Sequence, residues 1–206
     1  MKTDESGDAA MNGPAQKDRT WLYVGVAFVA FWGLYLTFFL PKTGPEGLDV
    51  PRLRGTGKTL PADYGWTLQD LDGKPVPFAD FAHKTVVLNL WATWCGPCRE
   101  EMPSLVKLAE NPRLKDVAFV AVTSERASES VKKVAREELR GLTVVRADGV
   151  PAVFATDAIP ATFVIASDGS VVASEVGAAR WDDPTVVDFL AALAKQAPPP
   201  PGPAHP

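Results

Sequence analysis

The only two cysteines in a chain of 206 residues stand three positions apart, as Cys95-Gly96-Pro97-Cys98. Their setting constrains the fold more than any other feature. An apolar run, Thr85-Val86-Val87-Leu88-Asn89-Leu90, leads into them and reads as a buried strand. A helix is predicted to follow, from about 95 to 110. Two cysteines at this spacing on a strand-to-helix junction read as a redox pair. The first would sit at the helix N-terminus, where unpaired backbone N–H groups and the positive end of the dipole lower a thiol's pKa. More thiolate means faster attack on a disulfide. The second, one turn inside, is placed to resolve the mixed disulfide.

Metal chemistry is the rival for the same pair. A structural zinc site needs four ligands, and only His83 and His205 could add nitrogen. Haem attachment requires a histidine directly after the second cysteine, and Arg99 stands there. Carriage of copper(I) by the two soft thiolates is a further alternative. Against it, the chain has only three methionines and no Met-rich or His-rich segment. With 21 basic against 25 acidic residues and no long basic run, nucleic-acid binding has no support.

Residues 1–20 are polar, small and without periodicity, and read as a disordered head. Residues 21–40 carry no charge, and at helical rise they span roughly 30 Å, the thickness of a hydrocarbon core. A transmembrane anchor is therefore expected, with Trp21 and Tyr23 in the interfacial belt and the lipid bilayer as a partner. A cleaved signal peptide is the competing reading. The run is long for one, and Pro41-Lys42-Thr43-Gly44 offers no small-x-small cleavage site. Lys17 and Arg19 before the span are matched by Lys42, Arg52 and Arg54 after it, so charge does not orient it. Residues 41–62 read as a Pro/Gly-rich linker and 198–206 as a proline-rich tail.

The segment 63–197 reads as one α/β domain. A hairpin over 66–76 turns at Asp72-Gly73, and a helical turn is expected at 78–81. After the cysteine helix come a strand at 117–122, an amphipathic helix at 128–140 closed by Gly141, and a strand at 142–145. A short turn near 150–155 precedes a second hairpin, 161–165 with 171–176. Asp183-Pro184 caps and opens the last helix. Strands joined by helices imply right-handed crossovers and a central mixed sheet flanked by helices and covered on both faces.

Trp94-Cys95-Gly96-Pro97-Cys98 is identical to the thioredoxin active-site motif. The longer run from Asn89 to Pro103 resembles the TlpA/ResA/CcmG branch of membrane-tethered thiol:disulfide oxidoreductases. Ile159-Pro160-Ala161-Thr162-Phe163 resembles the family's cis-proline loop, and Gly177 to Trp181 with Asp182-Asp183-Pro184 is similar to TlpA proteins. The resemblance covers about 62–197 and implies a thioredoxin-like fold.

It implies that Cys95 is the nucleophile and Cys98 the resolving thiol, with no cofactor beyond the Cys95–Cys98 disulfide. Glu101, three residues after Cys98 on the same helical face, stands where the family keeps an acidic residue that moves the proton of the buried cysteine. Desolvated there, it would titrate near neutral pH; a solvated surface glutamate is the plain alternative. A cis bond at Pro160 would leave Ile159 N–H and C=O free for a client strand; a trans proline at a strand start is the alternative. Trp94, Gly96, Pro97 and Ile159 would line the client surface, unless Trp94 is a core residue. The Gly96-Pro97 dipeptide points to a reducing poise. Arg99 either favours the Cys95 thiolate or is a solvated charge.

The implied placement is the inner membrane, with the catalytic domain in the periplasm. The implied clients are disulfides of apocytochrome c or of oxidase copper-site proteins. A membrane dithiol donor of the DsbD/CcdA type would recharge the enzyme. A general disulfide oxidant or isomerase, and a copper(I) metallochaperone, are the competing functions.

Overall fold

The computed structural model describes residues 20–39, 47–53 and 60–196. The head read over 1–20 lies outside these except for Thr20, as do the tail at 198–206 and much of the linker. The chain divides into two units after Pro41. In the first, Thr20–Phe39 forms one uncharged helix, α1. Its side chains at 21 and 23–35 are exposed. Among the described residues no helix is long and apolar enough to cross a membrane.

The second unit is built on one eight-stranded sheet. In chain order its strands are β1 (Leu60–Pro61), β2 (Thr67–Gln69), β3 (Pro75–Pro77), β4 (Thr85–Leu90), β5 (Val117–Thr123), β6 (Thr143–Arg146), β7 (Ala161–Ile165) and β8 (Ser170–Val176). Its helices are α2 (Gly96–Ala109), α3 (Glu129–Glu138) and α4 (Pro184–Ala194). Across the sheet the order is β1-β8-β7-β4-β5-β6-β2-β3. The pairs β4–β5 and β5–β6 are parallel, and β4 is antiparallel to β7, so the sheet is mixed as expected. Both hairpins form, β2 with β3 and β7 with β8.

Both faces are covered, but not alike. Successive residues of a strand point to opposite faces. Val87, Phe119 and Val164 pack with Leu105 and Leu108 of α2 and with Val186 and Leu190 of α4. Ala121 packs with Cys98 and Met102 of α2 and Val131 of α3. The alternate residues, Val86, Leu88, Leu90, Val120 and Val122, meet no helix; they pack on Leu68, Phe78, Phe81 and Phe154. The expected flanking by helices is thus one-sided. The reason is topological. The steps β4 to β5 and β5 to β6 run in the same direction across the sheet, so two right-handed crossovers put α2 and α3 on the same side. The second face is closed by 3-10 turns at Phe78–Phe81 and Ala152–Phe154 and by the rings of Tyr64, stacked on Phe78, and Trp66, edge-on to it.

Three local details depart from the expected pattern. Helix α3 ends at Glu138, because Leu139 leaves helical geometry (φ −124°) and drops into the cluster under α2. Within the span read as a linker, Val50 and Leu53 pack against the domain, Pro51 is buried, and Arg180 N–H donates to Asp49 C=O at 2.8 Å. Residues 60–61 pair with β8. Both outer strands carry proline, Pro61 in β1 and Pro75 and Pro77 in β3.

Candidate active site

Strand β4 delivers the chain to the carboxyl end of the sheet, where Trp91 N–H donates to Val122 C=O at 3.0 Å and the turn 92–95 begins. Glu125, after β5, holds that turn. Its carboxylate accepts the Thr93 N–H at 2.5 Å and the Thr93 hydroxyl at 2.7 Å. Cys95 then caps α2. Its backbone is extended (φ −83°, ψ 101°), its Sγ accepts the Cys98 N–H at 3.2 Å, and Pro97 lies in the first turn, where its missing N–H costs nothing.

Cys95 and Cys98 are joined as a disulfide with Cα atoms 5.3 Å apart. Cys95 is 5% exposed and Cys98 1%, so the first cysteine is the less enclosed of the two. Gly96 and Pro97 are exposed beside it. Trp94 is 74% exposed, which excludes a core role. The Ile159–Pro160 bond is cis, and Ile159 C=O lies 3.7 Å from Cys95 Sγ. The structure therefore brings Trp94, Cys95, Gly96, Pro97 and Ile159 to one surface, although 64 residues separate Cys95 from Ile159.

Glu101 lies on the inner side of α2 and is fully buried, so the solvated alternative fails. Oε1 accepts the Asn89 amide at 2.8 Å. Oε2 accepts Ala179 N–H at 3.1 Å and the Trp181 indole N–H at 2.9 Å. The second Asn89 amide hydrogen goes to Thr162 Oγ1 at 2.9 Å, across the β4–β7 pair. Burial lifts the Glu101 carboxyl to about 7; the Trp181, Ala179 and Asn89 donors oppose the lift, and the charge of Glu175 adds to it. A carboxylate so held can accept a proton near neutral pH and return it. Glu100, by contrast, is exposed.

Arg99 takes the second of its two readings, a solvated charge, with its side chain 51% exposed. Its guanidinium grips Glu138 of α3 through Nε at 3.0 Å and Nη2 at 2.5 Å. Pro103 lies inside an uninterrupted α2 on its exposed side. His83 occupies a turn with φ 62° just before β4, at the end of that strand opposite the cysteine turn. Among the described residues, no group of three or more His, Cys, Asp or Glu could hold a metal ion.

Several site residues carried no role in the sequence reading: Asn89, Thr162, Ala179, Trp181, Thr93 and Glu125. One signal was available. Asn89 and Thr162 are polar residues inside otherwise apolar strand runs, and a buried polar group needs a partner.

Comparison with known proteins agrees with this geometry. The family model described as Redoxin matches residues 49–193. Thioredoxin-like protein YneN of Bacillus subtilis is 32% identical over 151 residues, covering 71% of this chain and 81% of its own. Thiol-disulfide oxidoreductase ResA of Bacillus cereus is 29% identical over 146 residues, 70% of this chain and 78% of its own. Among solved structures, a secreted Mycobacterium tuberculosis disulfide oxidoreductase homologous to E. coli DsbE superposes with a TM-score of 0.53. It is 29% identical and covers 63% of this chain and 97% of its own. The match spans the whole sheet and the cysteine helix alike, and the chain belongs to the redoxin family as a thiol-disulfide oxidoreductase working through Cys95 and Cys98.

Proposed function

We propose that this oxidoreductase is a membrane-anchored reductase of client disulfides, working outside the cytoplasm. The observation that carries the exchange chemistry is Glu101, sealed from solvent on the resolving cysteine's helix face, its carboxyl lifted by burial to about 7. In the first step the Cys95 thiolate attacks a client disulfide. A Cys95–client bond forms, and one client thiolate leaves and takes a proton from solvent. Cys98 then passes its proton to the Glu101 carboxylate and attacks the Cys95 sulfur. The Cys95–Cys98 disulfide forms and the second client thiolate departs, taking up the proton that Glu101 releases. Two electrons have moved from enzyme to client, and a membrane dithiol donor restores the pair.

Strong oxidants of this chemistry stabilise their reduced form through a very acidic thiol. Here the nearest cation in sequence, Arg99, is held by Glu138, and Gly96-Pro97 adds no charge. That favours the reductase over an oxidant or isomerase. Ile159, beside cis-Pro160, offers its backbone to an extended client segment, and exposed Trp94 borders the same surface. The uncharged stretch 21–40 would hold the domain at the bilayer. Family resemblance points to apocytochrome c or an oxidase copper-site protein as client.

A trap tests the reading. Cys98→Ser in the full chain should accumulate Cys95-linked mixed disulfides in the membrane fraction, and their protein component names the client. Membranes that yield no such adduct, or a protein that fractionates as soluble, overturn the anchored-reductase reading.

A further inference from the structure

The Glu101 cradle is supplied from far along the chain. Two of its three donors come from the loop that leaves β8 at Gly177 and enters α4 at Asp183. This is the stretch that resembles TlpA proteins and that the reaction above leaves without a task. We infer that Trp181 is a positioning residue for the redox reaction: its indole N–H, together with Ala179 N–H, holds the Glu101 carboxylate for exchange of the Cys98 proton. The inference rests on the proposed role of Glu101 as the proton acceptor.

The geometry supports it at each point of the loop. Gly177, with φ 106°, turns the chain out of β8, and its N–H donates to Pro160 C=O at 2.9 Å. Ala179 N–H reaches Glu101, and Arg180 N–H reaches Asp49 C=O. Trp181 N–H donates to Ser104 Oγ at 3.1 Å, and Ser104 Oγ donates to Glu101 C=O at 2.8 Å. The loop is thus tied to the Pro160 turn at one end and to α2 at the other. Trp181 is 1% exposed, and its indole nitrogen has its partner in Glu101 Oε2.

Electrostatics gives that bond its consequence. Burial and the charge of Glu175 on β8 disfavour the ionised carboxylate, and only the three donors oppose them. The disulfide contributes no charge. Removing the indole N–H therefore lets burial dominate further, and Glu101 should hold its proton to higher pH. The ring of Trp181 also packs in the core with Leu105, Val186 and Leu190, so a test must separate the N–H from the ring.

The experiment reads the Glu101 carboxyl directly by carbon-13 NMR in the oxidised full chain, where the cysteines do not titrate. Trp181→Phe should raise its midpoint by about one pH unit or more. Benzothienylalanine placed at 181, which keeps the shape of tryptophan and lacks the N–H, should give the same shift; it serves alone where the phenylalanine variant fails to fold. In the reduced enzyme the acid limb of mixed-disulfide resolution should move by the same amount. Glu101→Gln separates the two claims. If it leaves that limb in place, the role of Glu101 fails. If it removes the limb while the benzothienylalanine chain keeps the wild-type Glu101 midpoint, the assignment of Trp181 is overturned and the role of Glu101 stands.

Discussion

The two faces of the central strands are made from alternate residues of the same segments, yet they solve different problems. On one, Val86, Leu88 and Leu90 of β4 meet Phe78, Phe81 and Phe154, while the buried polar residues of the central strands, Thr85, Asn89, Thr123 and Thr162, alternate to the other. On the other, Val87 is followed by Asn89, which faces Glu101 and Thr162. A buried charge or amide is costly unless it is hydrogen-bonded, and the network at this end of β4 joins four segments: β4, α2, β7 and the loop 177–183. The helix-covered face thus gives up hydrocarbon at the position where α2 brings the cysteines in. The aromatic face is left to hold the sheet together.

Four measurements can break or sharpen that division. Cys95→Ser acts on the helix face alone: disulfide reduction should fall to background, with the unfolding midpoint close to that of the reduced wild type. Phe78→Ala acts on the other face and should cost about 3–5 kcal/mol in chemical denaturation, while the activity of each folded molecule is kept. A Phe78→Ala protein of normal stability and low turnover would dissolve the distinction.

The third measurement concerns pH. The Glu101 carboxyl rises from 4.5 to about 7 on folding. The folded oxidised protein therefore binds the proton more tightly than the unfolded chain does. Its contribution is fully present below pH 4.5 and is lost as pH climbs through about 7. That loss is on the order of 3 kcal/mol. Denaturation at pH 5 and pH 8 should reveal it in wild type, and Glu101→Gln should flatten it; an equal slope in both proteins would show that the network holds the charge without penalty. The smallest effect is expected at Arg99→Ala. The pair with Glu138 is half-exposed, with side-chain accessibilities of 51% and 27%, and should contribute about 0.5 kcal/mol. A change of more than threefold in turnover would return Arg99 to the thiolate.

How much of this was legible in the chain follows from the range of each contact. The cysteine cap, both hairpins and the Asp183 cap rest on neighbours within a few residues, and the sequence pattern placed them. The Glu101 cradle joins residues 12 to 80 positions apart. Nothing local marks Trp181 as a donor to α2, and Thr93 with Glu125 lies 32 apart. The one-sided helices were hidden for a related reason. Right-handed crossovers were foreseen, but which face a helix takes depends on strand order, and β6 could not be placed beyond β5 from its own four residues.

The outer strands carry a last consequence. Phe78 N–H donates to Trp66 C=O and Asp70 N–H to Lys74 C=O, so residues 75 and 77 turn their nitrogens away from β2. Both are proline. At the opposite edge Ala62 N–H donates inward to Gly169 C=O, and the outward nitrogen is that of Pro61. Neither rim offers these amide hydrogens to a foreign chain. The sheet of this thiol-disulfide oxidoreductase is thereby spared from nucleating aggregation along its own edges.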